Sequence, residues 1–176
     1  MLPDFRVRQR DYLLEIARAL AEELNLDKLL DKILNVSIEM LAGQAGFIAL
    51  KSETRGWHVR VWHGLPNQLV KYIEPYLAHI TESGEEPGQL ELSQINQIIN
   101  ELARSGSFGL FNGVGIPLVA RGQAVGVIYI FRSYSVSFSS NDRIILRSFA
   151  NQASIAVQNA QRSEERRVGK ECRSRW

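Results

Sequence analysis

The chain has 176 residues, 45% of them hydrophobic, enough for one domain with a buried core. Its 21 basic and 19 acidic residues nearly cancel, leaving a net charge of +2. A single cysteine excludes a disulfide framework and a zinc site of several cysteines, and no apolar run approaches the ~20 residues of a membrane span.

Leu13, Ile16, Ala17, Leu20 and Leu24 recur at three- and four-residue spacing. They predict a first amphipathic helix, reached through a charged leader over residues 1–12. Asn25-Leu26-Asp27 breaks it and offers caps for a second helix. That helix carries Leu30, Ile33, Leu34, Ile38 and Leu41 and stops near Gly43. Gly46 to Leu50 reads as a strand, Ser52 to Gly56 as a turn and Trp57 to His63 as the paired strand. Strict alternation puts Trp57, Val59, Val61 and His63 on one face, with His58, Arg60 and Trp62 on the other. Gly64-Leu65-Pro66-Asn67 opens a helix bearing Leu69, Val70, Ile73, Tyr76 and Leu77. Glu82 to Gly88 reads as a polar loop, Leu90 to Leu92 as a short strand, Gln94 to Ala103 as a helix and Arg104 to Gly109 as a connection.

Gly113 to Leu118 and Val125 to Ile130 are rich in β-branched residues and flank Arg121-Gly122, which predicts an antiparallel hairpin. A polar break from Ser133 to Ser140 follows. Ser139-x-x-Asp142 has the form of a relaxed capping box. Ile145, Phe149, Ala153, Ala156 and Ala160 then line one face of a final helix. Helices from both ends can cover one face of an antiparallel sheet while the middle helices and loops roof the other, an α+β layout.

Three local patterns stand in this order: Leu26-Asp27-x-Leu29-Leu30, Pro117-Leu118-x3-Gly122-x3-Gly126, and Phe138-Ser139 before the last helix. Together they resemble a GAF domain over residues 13–161, a sensory or regulatory module related in architecture to PAS. The resemblance implies a central antiparallel sheet with the N- and C-terminal helices on one face and pocket-forming helices and loops on the other. It also implies a cytoplasmic signalling protein whose output domain, such as a histidine kinase or diguanylate cyclase, lies further along the chain. A homodimer through the terminal helices is implied as well. Met1 to Asp11 does not resemble a signal peptide, which agrees with the cytoplasm as the expected compartment.

Residues 162–176, RSEERRVGKECRSRW, resemble one reading frame of a widely used short-read sequencing adapter, codon for codon. A natural basic tail for nucleic acid or anionic lipid is the other reading. If the tail is set aside, six of the 21 basic and three of the 19 acidic residues go with it, leaving 15 and 16, a net charge of −1. Cys172 goes too. Neither nucleic acid nor a membrane is then an expected partner.

His58, His63 and His79 are the only histidines. His58 and His63 are five apart, on opposite faces of an ideal strand, which argues against joint metal coordination. Haem ligation by His63 or His79 is the alternative to an ordinary half-buried histidine, and no cofactor is assigned. Gly113-Val114-Gly115 lacks the third glycine and the following helix of a dinucleotide fingerprint.

Trp57, Trp62, Tyr72, Tyr76, Phe108, Phe111 and Tyr129 are the aromatic candidates for a ligand pocket, with Arg60, His63 and Asn112 as polar anchors. Cyclic-nucleotide members of the family carry Asn-Lys-x(n)-Phe-x3-Asp-Glu. Here Phe138-x3-Asp142 fits, but Phe131-Arg132 stands for Asn-Lys and Arg143 for the final acid. Arg132 can pair with Asp142 as a structural tether worth ~0–1 kcal/mol if exposed. Bilin-binding members need a cysteine for the thioether link, and methionine sulfoxide reductases of this fold need catalytic cysteines. With no nucleophile–base pair in view, an enzyme is not expected. The expected function is a sensor for a small ligand or a relay of helix rearrangement, and the alternative is a ligand-free dimerisation module.

Overall fold

The computed structural model describes residues 5–22, 25–82, 90–105, 109–110 and 112–174. The elements are α1 (Phe5–Glu22), α2 (Leu26–Met40), β1 (Ala45–Ser52), β2 (Gly56–His63), α3 (Asn67–Leu77), β3 (Thr81–Glu82), β4 (Leu90–Glu91), α4 (Ser93–Ser105), β5 (Asn112–Ala120), β6 (Gln123–Arg132) and α5 (Ser140–Arg173). The four longer strands form an antiparallel sheet in the order β2-β1-β6-β5, and β3 pairs with β4 in a separate ribbon. The loop expected from Glu82 to Gly88 falls largely outside the described residues, as does part of the connection after α4.

Each boundary has a local cause. The Asn25 side chain accepts from the Lys28 N–H and caps α2. Arg121 (φ 52°) and Gly122 (φ 73°) both turn left-handed, the backbone a two-residue hairpin loop requires between right-twisted strands. Ser139 and Asp142 form the full reciprocal capping box at the start of α5.

The sheet is buried on both faces, so β1 and β6 read as continuous apolar runs. Alternation still sorts their side chains. Ile48, Leu50, Ile128 and Ile130 pack with α1, α2 and α5, joined by Ile16, Leu30, Ile33, Leu146 and Phe149. Phe47, Ala49, Val127, Tyr129 and Phe131 face the other way, onto α3 and α4. This is the α+β architecture, with terminal helices on one face and middle helices on the other.

β2 departs from its expected alternation. The β1–β2 register shifts between Ile48 and Ala49, which pair with Val61 and Val59. Arg60 is the extra residue of a bulge, and one extra residue inverts every face beyond it. Val61 therefore joins the helix-side core while Trp57 and Val59 pack on the α3–α4 side. Trp62 pairs with Phe47 and shares its face, and His63 pairs with Gly46 on the helix side. His58, opposite Leu50, lies on that side too, so the two histidines share a face after all. They stay apart by distance, roughly 13 Å along the strand at about 3.3 Å per residue.

α1 is tied to α2 by the buried Ile16, by Glu15–Lys32 at 2.9 Å and by the Tyr12 hydroxyl donating to Glu39 at 2.6 Å. That hydrogen bond, lost when the phenol ionises, raises the Tyr12 pKa above the ordinary 10.0, with burial and the Glu39 charge adding to it. The folded pKa is the higher one, so the contribution is complete below the unfolded pKa and fades as pH rises through the folded value. Thermal melts should lose a component of stability above pH 10 that Tyr12→Phe lacks. Identical alkaline profiles for the two proteins would refute this coupling.

α5 is buried through Val157 and exposed throughout from Gln161 to Ser174. No helix among the described residues is long and apolar enough to cross a membrane.

Candidate functional site

α3 and α4 roof the second face of the sheet. α3 buries Leu69, Val70, Ile73 and Leu77, and α4 buries Ile95, Ile99 and Ala103, each set at helical spacing. Beneath them Phe47, Tyr129 and Phe131 form an aromatic floor. Phe47 and Tyr129 stack with centroids 5.1 Å apart at 20°, and Tyr129 and Phe131 lie 6.4 Å apart at 20°.

The floor exists because the neighbouring strand has no side chains there. Gly115 stands opposite Tyr129, and Gly113 opposite Phe131. A Cβ on Gly115 would lie 2.5 Å from Tyr129 Cε1, and one on Gly113 2.9 Å from Phe131 Cδ1 and 2.9 Å from Asn100 Oδ1. Gly113-Val114-Gly115 is a strip cleared for rings, and so is no phosphate loop.

The buried polar groups divide unevenly between the two faces. On the helix side Ser37 donates to the Ile33 carbonyl, Ser154 to the Ala150 carbonyl, His58 Nδ1–H to the Gly56 carbonyl, and Arg132 to the Leu41 carbonyl. Under α4 the pattern reverses. Tyr129 is 1% exposed, yet its hydroxyl has no hydrogen-bond partner among the described residues. Asn96 Oδ1 and Asn100 Oδ1 are buried and unpartnered too. The two asparagines are one turn apart, beside the apolar stripe of α4. Burial raises the Tyr129 pKa, so the phenol stays neutral at physiological pH.

An unsatisfied buried polar group costs roughly 1–3 kcal/mol, so three on one side of the sheet are a concentrated expense. Such groups can hydrogen-bond a small molecule or water. Tyr129→Phe removes one orphan without changing shape. It should raise the stability of the unliganded protein by about 1 kcal/mol in urea denaturation. A loss of 1 kcal/mol or so would mean the hydroxyl is satisfied in solution.

The sequence candidates scatter. Tyr129 lies in the floor, and Trp57 and Tyr76 are half-buried against the same core. Trp62 shares the floor's face but is 41% exposed, and Tyr72 is 65% exposed on the outer side of α3. Arg60, at the bulge, pairs with Asp27 in the first turn of α2. Asn112 donates to the carbonyls of Tyr134 (3.1 Å) and Val136 (3.3 Å), tying down the loop before α5. His63 and His79 are exposed. Phe108 and Phe111 lie outside the described residues. Sequence reasoning missed Phe47, Phe131, Asn96 and Asn100. The one signal for the asparagines was an Asn pair four apart on the border of an apolar stripe. No group of three or more His, Cys, Asp or Glu able to hold a metal occurs among the described residues.

The family profile of the GAF domain matches residues 23–158. The chain belongs to the GAF domain family. No curated protein matches it in sequence. Among solved structures it is similar to the GAF domain of an Acinetobacter phosphoenolpyruvate-protein phosphotransferase, with 18% identity and a TM-score of 0.62, covering 89% of this chain and 97% of that one. It is also similar to the GAF domain of a putative sensor histidine kinase from Pseudomonas syringae pv. tomato, with 14% identity, a TM-score of 0.62 and 94% coverage of each chain. A third is the phycoerythrobilin-bound GAF domain of a cyanobacterial phytochrome, with 12% identity and a TM-score of 0.63, covering 90% of this chain and 99% of that one. At these identities the likeness is one of fold. The matched segment of this GAF domain ends at 158, one residue beyond the last buried residue of α5.

Proposed function

We propose that this GAF domain is a non-catalytic sensory module of a cytoplasmic signal-transduction protein, and that it binds a small molecule between the sheet and α3–α4. The observation that carries the reading is the set of three buried, unpartnered polar atoms, Tyr129 Oη, Asn96 Oδ1 and Asn100 Oδ1, on the side of the sheet that α3 and α4 roof. A ligand that binds one state better than another shifts the population. α5 is the element placed to pass the shift on, because it packs on β5 and β6 and is the last element of the matched segment. The output domain, a histidine kinase or diguanylate cyclase by the family's habit, would follow it.

A thermal-shift panel of cyclic nucleotides, haem, amino acids and 2-oxoacids tests the reading. A ligand at about 100 times its Kd stabilises by about 2.7 kcal/mol, or roughly 5–10 °C in a domain of this size. No shift with any of them would count against a sensor.

Ligand-free dimerisation is the second reading. Val7 and Leu14 are exposed seven residues apart on α1, and Ile144 and Ile155 are exposed on α5. Between Leu20, Leu26 and Leu29 on one side and Ala156 and Ala160 on the other runs a groove of about 450 Å³, whose far end is lined by Ser163, Glu164 and Arg167 of the tail. Light scattering that finds a dimer, with an inert ligand panel, would favour this module over the sensor.

We also infer that residues 162–176 are adapter-derived. Burial ends at Val157 and the family match at 158, so the tail contributes little to the fold. Deleting 162–176 should move Tm by less than about 2 °C, within the range of surface changes. Re-sequencing the source DNA across codon 162 should read a different continuation, and finding the same fifteen codons would end the idea.

A further inference from the structure

We infer that the turn between α2 and β1 and the strap of residues 133–139 form a strained latch, a two-state device that ties the end of α2 to the first turn of α5. The latch needs no ligand, so it stands apart from the ligand-site reading above.

α2 ends in a Schellman turn. The Gly43 N–H donates to the Ile38 carbonyl at 2.8 Å, and the Ala42 N–H to the Glu39 carbonyl at 3.2 Å. The residue that turns left-handed in such an ending is usually glycine, and here it is Ala42, with φ 49°. The glycine beside it serves space instead. A Cβ on Gly43 would stand 2.7 Å from Ile130 Cγ2 and 3.1 Å from the Phe131 carbonyl oxygen. Residue 43 is therefore glycine for close approach, and residue 42 bears the backbone strain. A left-handed alanine persists only where its surroundings over-determine it. The strap supplies those surroundings. The Tyr134 hydroxyl donates to the Ala42 carbonyl at 3.2 Å, and Arg132, just before the strap, donates to the Leu41 carbonyl at 2.6 Å. Asn112 of β5 holds the strap from its other side, through the Tyr134 and Val136 carbonyls. The strap ends in Ser139, whose carbonyl accepts the Arg143 N–H at 3.1 Å in the first turn of α5. α1 reaches the same corner, because Glu39, the acceptor of the Tyr12 hydroxyl, lies in the last turn of α2. With the latch closed, Ala42 is strained and the strap is held. With it open, the alanine relaxes and the cap of α5 is freed. A shift of α1 or α2 that opens the latch reaches α5 without crossing the sheet.

Native-state hydrogen exchange of the 15N-labelled full chain, read by NMR, tests the latch. The Gly43 and Arg143 amides report its two ends, and the amides of β1 and β6 are the reference. Tyr134→Phe removes one hydrogen bond and keeps the ring. It should speed exchange at both ends by about threefold, the worth of one exposed hydrogen bond, and leave β1 and β6 unchanged. Ala42→Gly removes the strain. It should slow exchange at both ends by about fivefold, although the substitution lies on the α2 side alone. The double variant should fall between the two single variants at both ends. Arg143 following Gly43 in both directions is the behaviour of one two-state element. Ala42→Gly acting on Gly43 alone would overturn the latch and leave an ordinary strained turn. No change at either end would overturn it as well. So would acceleration of β1 and β6 by the same factor, because both ends would then report global unfolding.

Discussion

Arg132→Ala is expected to destabilise the protein by about 3 kcal/mol, the range for removing one partner of a buried charged network. Arg132 is 6% exposed and lies where three elements meet. Its Nε and Nη2 donate to the Leu41 carbonyl at 3.0 and 2.6 Å, and Nη2 also to Asp142 at 3.2 Å. Nη1 reaches the Ser137 carbonyl at 3.4 Å, and the guanidinium centre sits 4.0 Å over the Phe138 ring. The Leu41 carbonyl belongs to the end of α2, where free carbonyls and the helix dipole favour a cation. Asp142 closes the capping box of α5. One side chain thus holds the end of α2, the end of β6 and the start of α5 together. Alanine would leave the buried Leu41 carbonyl without its side-chain donor and the partly buried Asp142 carboxylate with only the Ser139 N–H. Lysine restores the charge without the fork and should recover about half. The check is the urea midpoint of each variant by circular dichroism. A loss below about 1 kcal/mol for alanine would reduce the network to the worth of a surface pair.

Gly115→Val should be still more damaging, about 3 kcal/mol or more, the upper range for overpacking a core. The new Cβ would overlap Tyr129 at Cζ and stand 2.5 Å from Cε1. The ring has little room to give, since it is fully buried and packed with Phe47 and Phe131, whose centroids lie 5.1 and 6.4 Å from its own. β5 would have to leave β6, or the floor would have to break. Gly115→Ala should cost less in the same direction, and Tyr129→Leu should relieve much of that cost when combined with it. A double-mutant cycle measures the coupling. Additive effects would show that the strand moves away freely and that the glycine does not exist for the ring.

The elements themselves were legible in the chain. The helical stripes of α2 and α5, the Arg121-Gly122 hairpin and the Ser139–Asp142 box are set by neighbours a few residues apart. The pairing of Arg132 with Asp142 was legible too. Its magnitude was not, because exposure decides whether such a pair is worth little or much, and exposure depends on α2 arriving from ninety-one residues away.

The candidate site was the least legible part. Alternation along β2 sent Val61 and His63 to the wrong face, because a bulge at Arg60 depends on how β1 pairs and leaves no mark in a two-residue period. Arg60 and Asn112, polar and near the pocket in sequence, spend their hydrogen bonds on α2 and on the loop before α5. Asn96 and Asn100 looked like ordinary surface residues of an amphipathic helix until the sheet beneath them proved to have no side chains at Gly113 and Gly115. Local sequence by itself determined the order and type of elements and the helix caps, since propensity, period and capping act within a turn or two. Only the tertiary structure decided which polar atoms are buried and which of them lack partners, because burial and satisfaction are set by residues that meet from distant parts of the chain.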